Sequence, residues 1–275
     1  MRPLVSATAE GTPVLDLGRE ASELGPLKLP DVALSPDERA AVVDTWRTRM
    51  VAEYVSARVF AALVPQAMAA GLRARETTEL LTMANEELSH GVRCARVLTS
   101  LGEVATAPMG ELPRVPVHTN VSPLEGLVWN LLDVCCVSET AAVVLVGEEV
   151  ERAGTPELAE ELRIILADEV GHARFGFRVL GEVVPTFGPK ERARLAAYAA
   201  TSFRHRLVRF GSFLGTRPSS EASLSYGAPE GPATFTAFFE TLEAVVVPRL
   251  EELGVPAREA LRVALADLER HPTAA

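Results

Sequence analysis

The chain has 275 residues, 48% of them hydrophobic and 23% charged, and a formal net charge of −10. That length and apolar content allow one large buried core, while the acidic balance, with no segment that concentrates Lys and Arg, argues against a phosphate-binding surface and so against nucleic acid as a partner. Cys94, Cys135 and Cys136 all lie in apolar sequence and read as reduced thiols, no secretory-type leader is present, and no purely apolar run approaches the ~20 residues of a bilayer span, so a cytoplasmic protein without membrane contact is expected.

Residues 1–34 carry Pro and Gly without helical period and read as an irregular arm, followed by a single helical domain over 35–275. Ser35, Pro36 and Glu38 form a capping-box start, and apolar periodicity runs through Trp46, Met50, Phe60 and Val64 to Gly71, with a kink expected at Pro65. A second helix is predicted over 73–101, stopped by Gly102. The Pro-rich segment 103–121 then reads as a crossover, too long for a tight hairpin. Ser122, Pro123 and Glu125 open a third helix that reaches about Ala153, and Thr155 and Pro156 open a fourth that reaches about Val184. The ligand-bearing part thus spans 36–185 and accessory helices span 189–272: one to about Leu214, one from about Ala233 that Pro248 bends or ends, and a short one after Pro256. No segment alternates over enough residues to predict a strand. The expected fold is all-α, a four-helix bundle with a long crossover between its second and third helices and additional C-terminal helices.

Each of the four long helices carries acid on its apolar face. Glu53 follows Met50 by three residues; Glu87 and His90 continue the series Leu80, Met83 toward Cys94 and Leu98. Glu139 follows Leu131 and Cys135 at four-residue steps, and Glu169 and His172 follow Leu158, Leu162 and Ile165 within "ILADEVGHARFG". Positions three and four apart share a helix face. Four carboxylates in an apolar core need positive charge beside them, and no lysine on these faces supplies it. Two divalent iron ions would, with coordination positions left open for O2. The pattern is internally repeated: Glu53 precedes Glu87 by 34 residues and Glu139 precedes Glu169 by 30. The repeat includes an extra acid before each second glutamate, Glu86 and Asp168. Each is turned about 100° round its helix, where it can accept the second ring N–H of the opposite histidine. Glu86 is thereby paired with His172, and Asp168 with His90.

This set resembles the ferritin-like di-iron carboxylate superfamily, whose members place one Glu on each of two helices and a Glu-x-x-His on each of two others. The resemblance covers 36 to about 185 and implies a metal-ligand set of Glu53, Glu87, His90, Glu139, Glu169 and His172. It also implies two Fe ions or a Mn/Fe pair. Departures narrow the membership. Cys94 stands where the ribonucleotide reductase small subunit has its tyrosine, and Val143 where multicomponent monooxygenases place a threonine. Ile165 stands where the p-aminobenzoate N-oxygenases, to which the chain is distantly similar, add a third histidine, and three cysteines cannot form the four-cysteine site of rubrerythrins. Bacterioferritins and aldehyde-deformylating oxygenases, like these families, carry versions of the set; the set in this chain is the plain six-residue one. The C-terminal helices, superfluous for iron storage, would roof a pocket walled by Ala57, Cys94, Cys135, Val143 and Ile165; for Ala57 and Cys135, close helix packing is the competing explanation. The resemblance thus implies an O2-dependent oxidase or oxygenase that hydroxylates or N-oxygenates a small organic substrate, with an external electron donor and a homodimer as one assembly open to it. The alternatives are a ferroxidase or peroxide-reducing protein of iron handling, and a bundle whose site is vestigial.

Overall fold

In the computed structural model, residues 4–7, 12–110, 112 and 114–271 are described. The chain enters as an antiparallel ribbon. β1 (Val5–Ala7) pairs with β2 (Pro13–Asp16), Val5 opposite Leu15, and the other edge of β2 pairs with β3 (Thr106–Pro108), Leu15 opposite Ala107. A short helix, α1 (Gly18–Glu23), follows, and Leu15, Leu17, Ala21 and Leu27 are buried in one cluster with Val42, Trp46 and Leu98. The expectations of an irregular arm and of no strands are both corrected by these described residues. Strands of three and four residues are too short to display alternation, and one of the two partners of β2 comes from the distant crossover. Residues 1–3 and 8–11 of the arm lie outside the described residues.

The first long helix, α2 (Pro36–Ala69), begins where its capping box predicts: Ser35 Oγ accepts from the Glu38 N–H at 3.3 Å, and the Ser35 N–H donates to Glu38 Oε2 at 2.8 Å. It continues through Pro65 to the turn at Gly71. There it reverses into α3 (Ala74–Ser100). After the crossover, Ser122 caps α4 (Pro123–Arg152) and Thr155 caps α5 (Pro156–Val183), which makes a second hairpin. Arg49 meets Glu149 and Gln66 meets Asn130 across α2 and α4, so these two run antiparallel. Then come α6 (Pro189–Gly211), α7 (Glu221–Ser225) between the helices predicted to end near Leu214 and to begin near Ala233, α8 (residues 232–252) and α9 (Ala257–Arg270). By length and composition α4 could cross a membrane, with a mean hydropathy of 1.6 over its most apolar window, and 56% of that window is buried inside the protein.

Two helices contain a wider turn that the sequence did not announce. Leu132–Glu139 of α4 and Leu242–Val246 of α8 are π-helical, a form that inserts a residue into the α-helical ladder and frequents functional sites. In α8 the π turn ends at Val246, two residues before Pro248, so the helical ladder is already widened where the proline lacks an N–H and would crowd the preceding turn. Pro248 therefore neither ends nor interrupts α8.

The apolar core is split in two. One cluster holds Phe60, Met83, Cys135 and Phe175; the other holds Met50, Cys94, Val146 and Ile165. On each of the four long helices the polar residues Glu53, Glu87 with His90, Glu139, and Glu169 with His172 lie between a member of one cluster and a member of the other. A polar layer thus crosses the bundle between two apolar halves.

Residues 24–34 form a strap over one end of the bundle. Tyr226 Oη donates to the carbonyls of Pro30 and of Val32, the latter at 3.1 Å, and Thr155 Oγ1 donates to the Lys28 carbonyl at 2.9 Å. Trp46 Nε1 in turn donates to the Tyr226 carbonyl at 2.8 Å. Gly154 lies beneath the strap because nothing larger fits: a Cβ there would meet Pro30 Cγ at 2.8 Å and Ser225 Cβ at 2.9 Å.

Candidate metal centre

The polar layer brings all six predicted residues together. Their donor atoms form two overlapping sets, Glu53, Glu87, His90 and Glu169 in one and Glu87, Glu139, Glu169 and His172 in the other, with all donors of a set within 4.8 Å of one another. Glu87 and Glu169 belong to both. His90 Nδ1 lies 3.6 Å from Glu53, 3.8 Å from Glu87 and 3.5 Å from Glu169; His172 Nδ1 lies 3.2 Å from Glu87 and 3.4 Å from Glu169. These approaches lack hydrogen-bond geometry. Both Nδ1 atoms, both Glu87 oxygens and Glu169 Oε2 are buried with no hydrogen-bond partner among the described residues. Buried polar atoms rarely stay unmet, and five of them turned toward one small volume suit a cation that takes carboxylate oxygen and imidazole nitrogen.

The other ring nitrogens are occupied. His90 Nε2 lies 3.0 Å from Asp168 Oδ2, and His172 Nε2 lies 2.9 Å from Glu86 Oε2. Each acid comes from the helix opposite its histidine. An N–H directed at these carboxylates turns each Nδ1 toward the cluster, where it could serve as a ligand once its own proton is displaced.

Protons carry the balance that cations would otherwise supply. Burial, reinforced by Glu87 and Glu169 against the pull of His90, pushes the Glu53 carboxyl up to about 8. Burial and then Glu169 push Glu139 well above the carboxylate range. For the imidazoles burial opposes charge, but Glu169 and its neighbours outweigh it, raising His172 to about 10 and His90 further. Burial also opposes charge on Glu169, yet the two histidines hold it below the usual range. A cluster that keeps its charge this way can exchange protons for divalent cations.

One side of the centre is closed. The Phe60 ring lies 5.1 Å from that of His172, and Gly176 of α5 packs directly on Cys135 of α4. The other side opens on a cavity of about 380 Å³ that reaches Glu53 and Glu169. Its inner wall is Ala52, Ala142, Leu145 and Val146, with Phe213 and Thr234 from the C-terminal helices above and Asp44, Glu148 and Glu230 nearer the surface. A second depression, of about 470 Å³, lies over Glu86, Asp168 and His172 between α3 and α5, with Gly171 on its floor.

The expected pocket wall is corrected. Cys94, Cys135 and Ile165 are buried in the apolar clusters, Ala57 is buried outside them and Val143 is half-buried, and none of them lines the cavity. The cavity lies toward the N-terminal end of α2 and the C-terminal end of α4, so Ala57 and Cys135 are at the wrong end. Cys94 and Ile165 are at the right end but face the core, and Val143 is rotated away while Ala142 lines the wall. The sequence reading missed the Arg49–Glu149 ion pair, which lines this cavity at 2.5 Å. Its signal was present: Arg49 is one turn before Glu53, and Glu149 interrupts an apolar stretch of α4.

No protein-family model and no curated protein sequence matches the chain. Among solved structures the chain is similar to a protein described as "Protein 19 with aldehyde deformylating oxidase activity from Synechococcus", at 20% identity and a TM-score of 0.60, over 84% of this chain and 98% of that one. The likeness shows the fold, an all-helical bundle; the carboxylate and histidine cluster within it could hold metal ions.

Proposed function

We propose that the protein holds two iron ions between α2, α3, α4 and α5 and is an O2-dependent oxidase or oxygenase of a small organic molecule. Glu53 and His90 would hold one ion and Glu139 and His172 the other, with Glu87 and Glu169 available to both. The same oxygen-rich donors accommodate a Mn/Fe pair. Bound iron supplies the redox chemistry for O2 reduction that side chains lack.

The chain's own residues do the rest. Asp168 and Glu86 hold the imidazole rings in the tautomer that frees Nδ1. Phe60 and the Gly176–Cys135 contact exclude water from the far side. The cavity brings a substrate against Glu53 and Glu169, and this opening is the observation that carries the reading. Inserting one oxygen atom of O2 into a substrate and reducing the other to water takes two electrons and two protons, so an external donor is required. The three free cysteines suit a reducing cytoplasm.

The carboxylates of Asp44, Glu148 and Glu230 around the cavity favour a second reading, passage of ferrous ion to a ferroxidase site. The test is anaerobic loading with ferrous iron followed by exposure to O2, with and without excess iron. The oxygenase reading expects about two irons per chain and a single round of iron oxidation. Catalytic turnover of excess ferrous ion would replace it with the ferroxidase reading, and absence of iron binding would remove both.

A further inference from the structure

One bank of the cavity mouth is built from chain outside the four long helices. Two stretches, residues 212–219 between α6 and α7 and residues 229–231 between α7 and α8, supply Phe213, Pro229 and Glu230 to its wall. They are joined to each other. Ser219 Oγ donates to the Pro229 carbonyl at 2.7 Å, and Gly231, at a φ of 66°, packs so closely on the other stretch that a Cβ would meet the Arg217 carbonyl oxygen at 2.6 Å. The two stretches therefore form one flap. α7 between them is fixed to the bundle, because Ser220 Oγ donates to Glu38 Oε1 at 2.5 Å and the Gly154 N–H donates to the Ser225 carbonyl at 2.8 Å. The flap is held more lightly. Among the described residues its only ion pair or hydrogen bond to the four long helices joins Glu230 to Arg152, in the last turn of α4.

Arg152 stands among acids. Asp44 and Glu148 line the same cavity, Glu148 Oε2 lies 3.9 Å from Arg152 Nη1, and the other arginine in the wall, Arg49, is engaged with Glu149. Without the Arg152 cation, Glu230 would share the mouth with like charges. The pair is 37% and 33% exposed, so solvent and salt screen it and its hold is slight. We propose that residues 212–219 and 229–231 are a gate over the cavity, and that Arg152 and Glu230 are its latch. With the pair closed, the flap stands against α4 and narrows the way to Glu53 and Glu169. When the pair parts, repulsion from Asp44 and Glu148 drives Glu230 outward and the mouth widens. The inference concerns access alone and is independent of what the centre oxidises.

A thiol placed on the inner wall by Ala142→Cys reads the gate without iron or turnover. Its alkylation rate is measured with bulky, uncharged N-(1-pyrenyl)maleimide and with small methyl methanethiosulfonate, and the ratio of the two cancels changes in the thiol itself. Cys94, Cys135 and Cys136 are buried, and the protein without the added cysteine gives their background. Adding Arg152→Met should raise the bulky-to-small ratio up to about fivefold, the most an exposed pair supplies. Glu230→Gln should raise it less, because it removes the attraction without leaving a repelled charge. Salt at about 0.5 M should raise the ratio in the Ala142→Cys protein but not in Arg152→Met, where only repulsion remains to be screened. An unchanged ratio in both variants, or a salt response that survives Arg152→Met, overturns the proposal. If Arg152→Met fails to fold, Glu230→Gln and the salt response of the Ala142→Cys protein decide alone.

Discussion

Gly176 on α5 and Cys135 on α4 meet so closely that a Cβ on the glycine would lie 2.4 Å from that of the cysteine and 3.0 Å from Cys136 Sγ. The contact is one turn beyond His172 and one turn before Glu139. It sets the distance between the two helices that supply half of the cluster.

Gly176→Ala should therefore act twice. The added methyl must push α5 and the π turn of α4 apart, an overpacking cost of ~1–3 kcal/mol. Because Glu139 ends that turn, iron affinity should fall as well. Urea unfolding and an iron titration of the same variant check both. Parent-like values in the two assays would show that α4 yields without moving the ligand.

Asp168→Asn and Glu86→Gln should weaken metal binding about 10- to 100-fold each, since each loses the anionic acceptor on which a histidine ring rests. Competition with a chelator reads the affinity. The two effects should be of similar size, because the pairings mirror each other.

Loss of a shared glutamate should differ in kind from loss of an unshared one. Glu87→Ala or Glu169→Ala removes a donor from both sets and should reduce the iron content toward zero. Glu53→Ala or Glu139→Ala removes a donor from one set and should leave about one tightly held ion. Metal analysis of the purified variants distinguishes the cases; equal losses in all four would mean that the two sites fill only together.

Away from the centre, Arg73 first, aided by Arg178, holds the Glu76 carboxyl down at about 2 against the opposing effect of burial. A carboxylate whose folded pKa is depressed stabilises the native state above its unfolded value of 4.5, and that contribution is lost as the pH falls toward 2. Thermal melts between pH 6 and pH 2 should show stability declining through this window. Glu76→Gln should flatten the decline there, and an unchanged slope would assign the acid sensitivity to other carboxylates.

The parts of the site legible in the sequence are those governed by local period. Glu53 after Met50, or Glu169 and His172 between Ile165 and Val179, stand out because an acid at a core position breaks an apolar stripe, and helix geometry alone aimed Asp168 and Glu86 at the opposite histidines. Ser35, Ser122 and Thr155 fixed three helix starts because capping is chemistry between near neighbours. What depends on distant packing stayed hidden. The π turn before Glu139 has no residue signature, and which residue of the next turn lines the wall, Ala142 rather than Val143, depends on how the helix is rotated against its neighbours. The end of the bundle that opens is chosen by the loops around Phe213 and Pro229. β2 is the central strand of its sheet because the crossover returns to its second edge.

The strap of residues 24–34 holds Tyr226 through backbone carbonyls, Tyr226 holds the Trp46 indole, and the guanidinium of Arg49 rests over that ring at 4.7 Å. The Arg49 side of the cavity is thus braced by a segment that lies outside the four helices carrying the carboxylate and histidine cluster, so a change in the strap would move that wall while the cluster keeps its geometry.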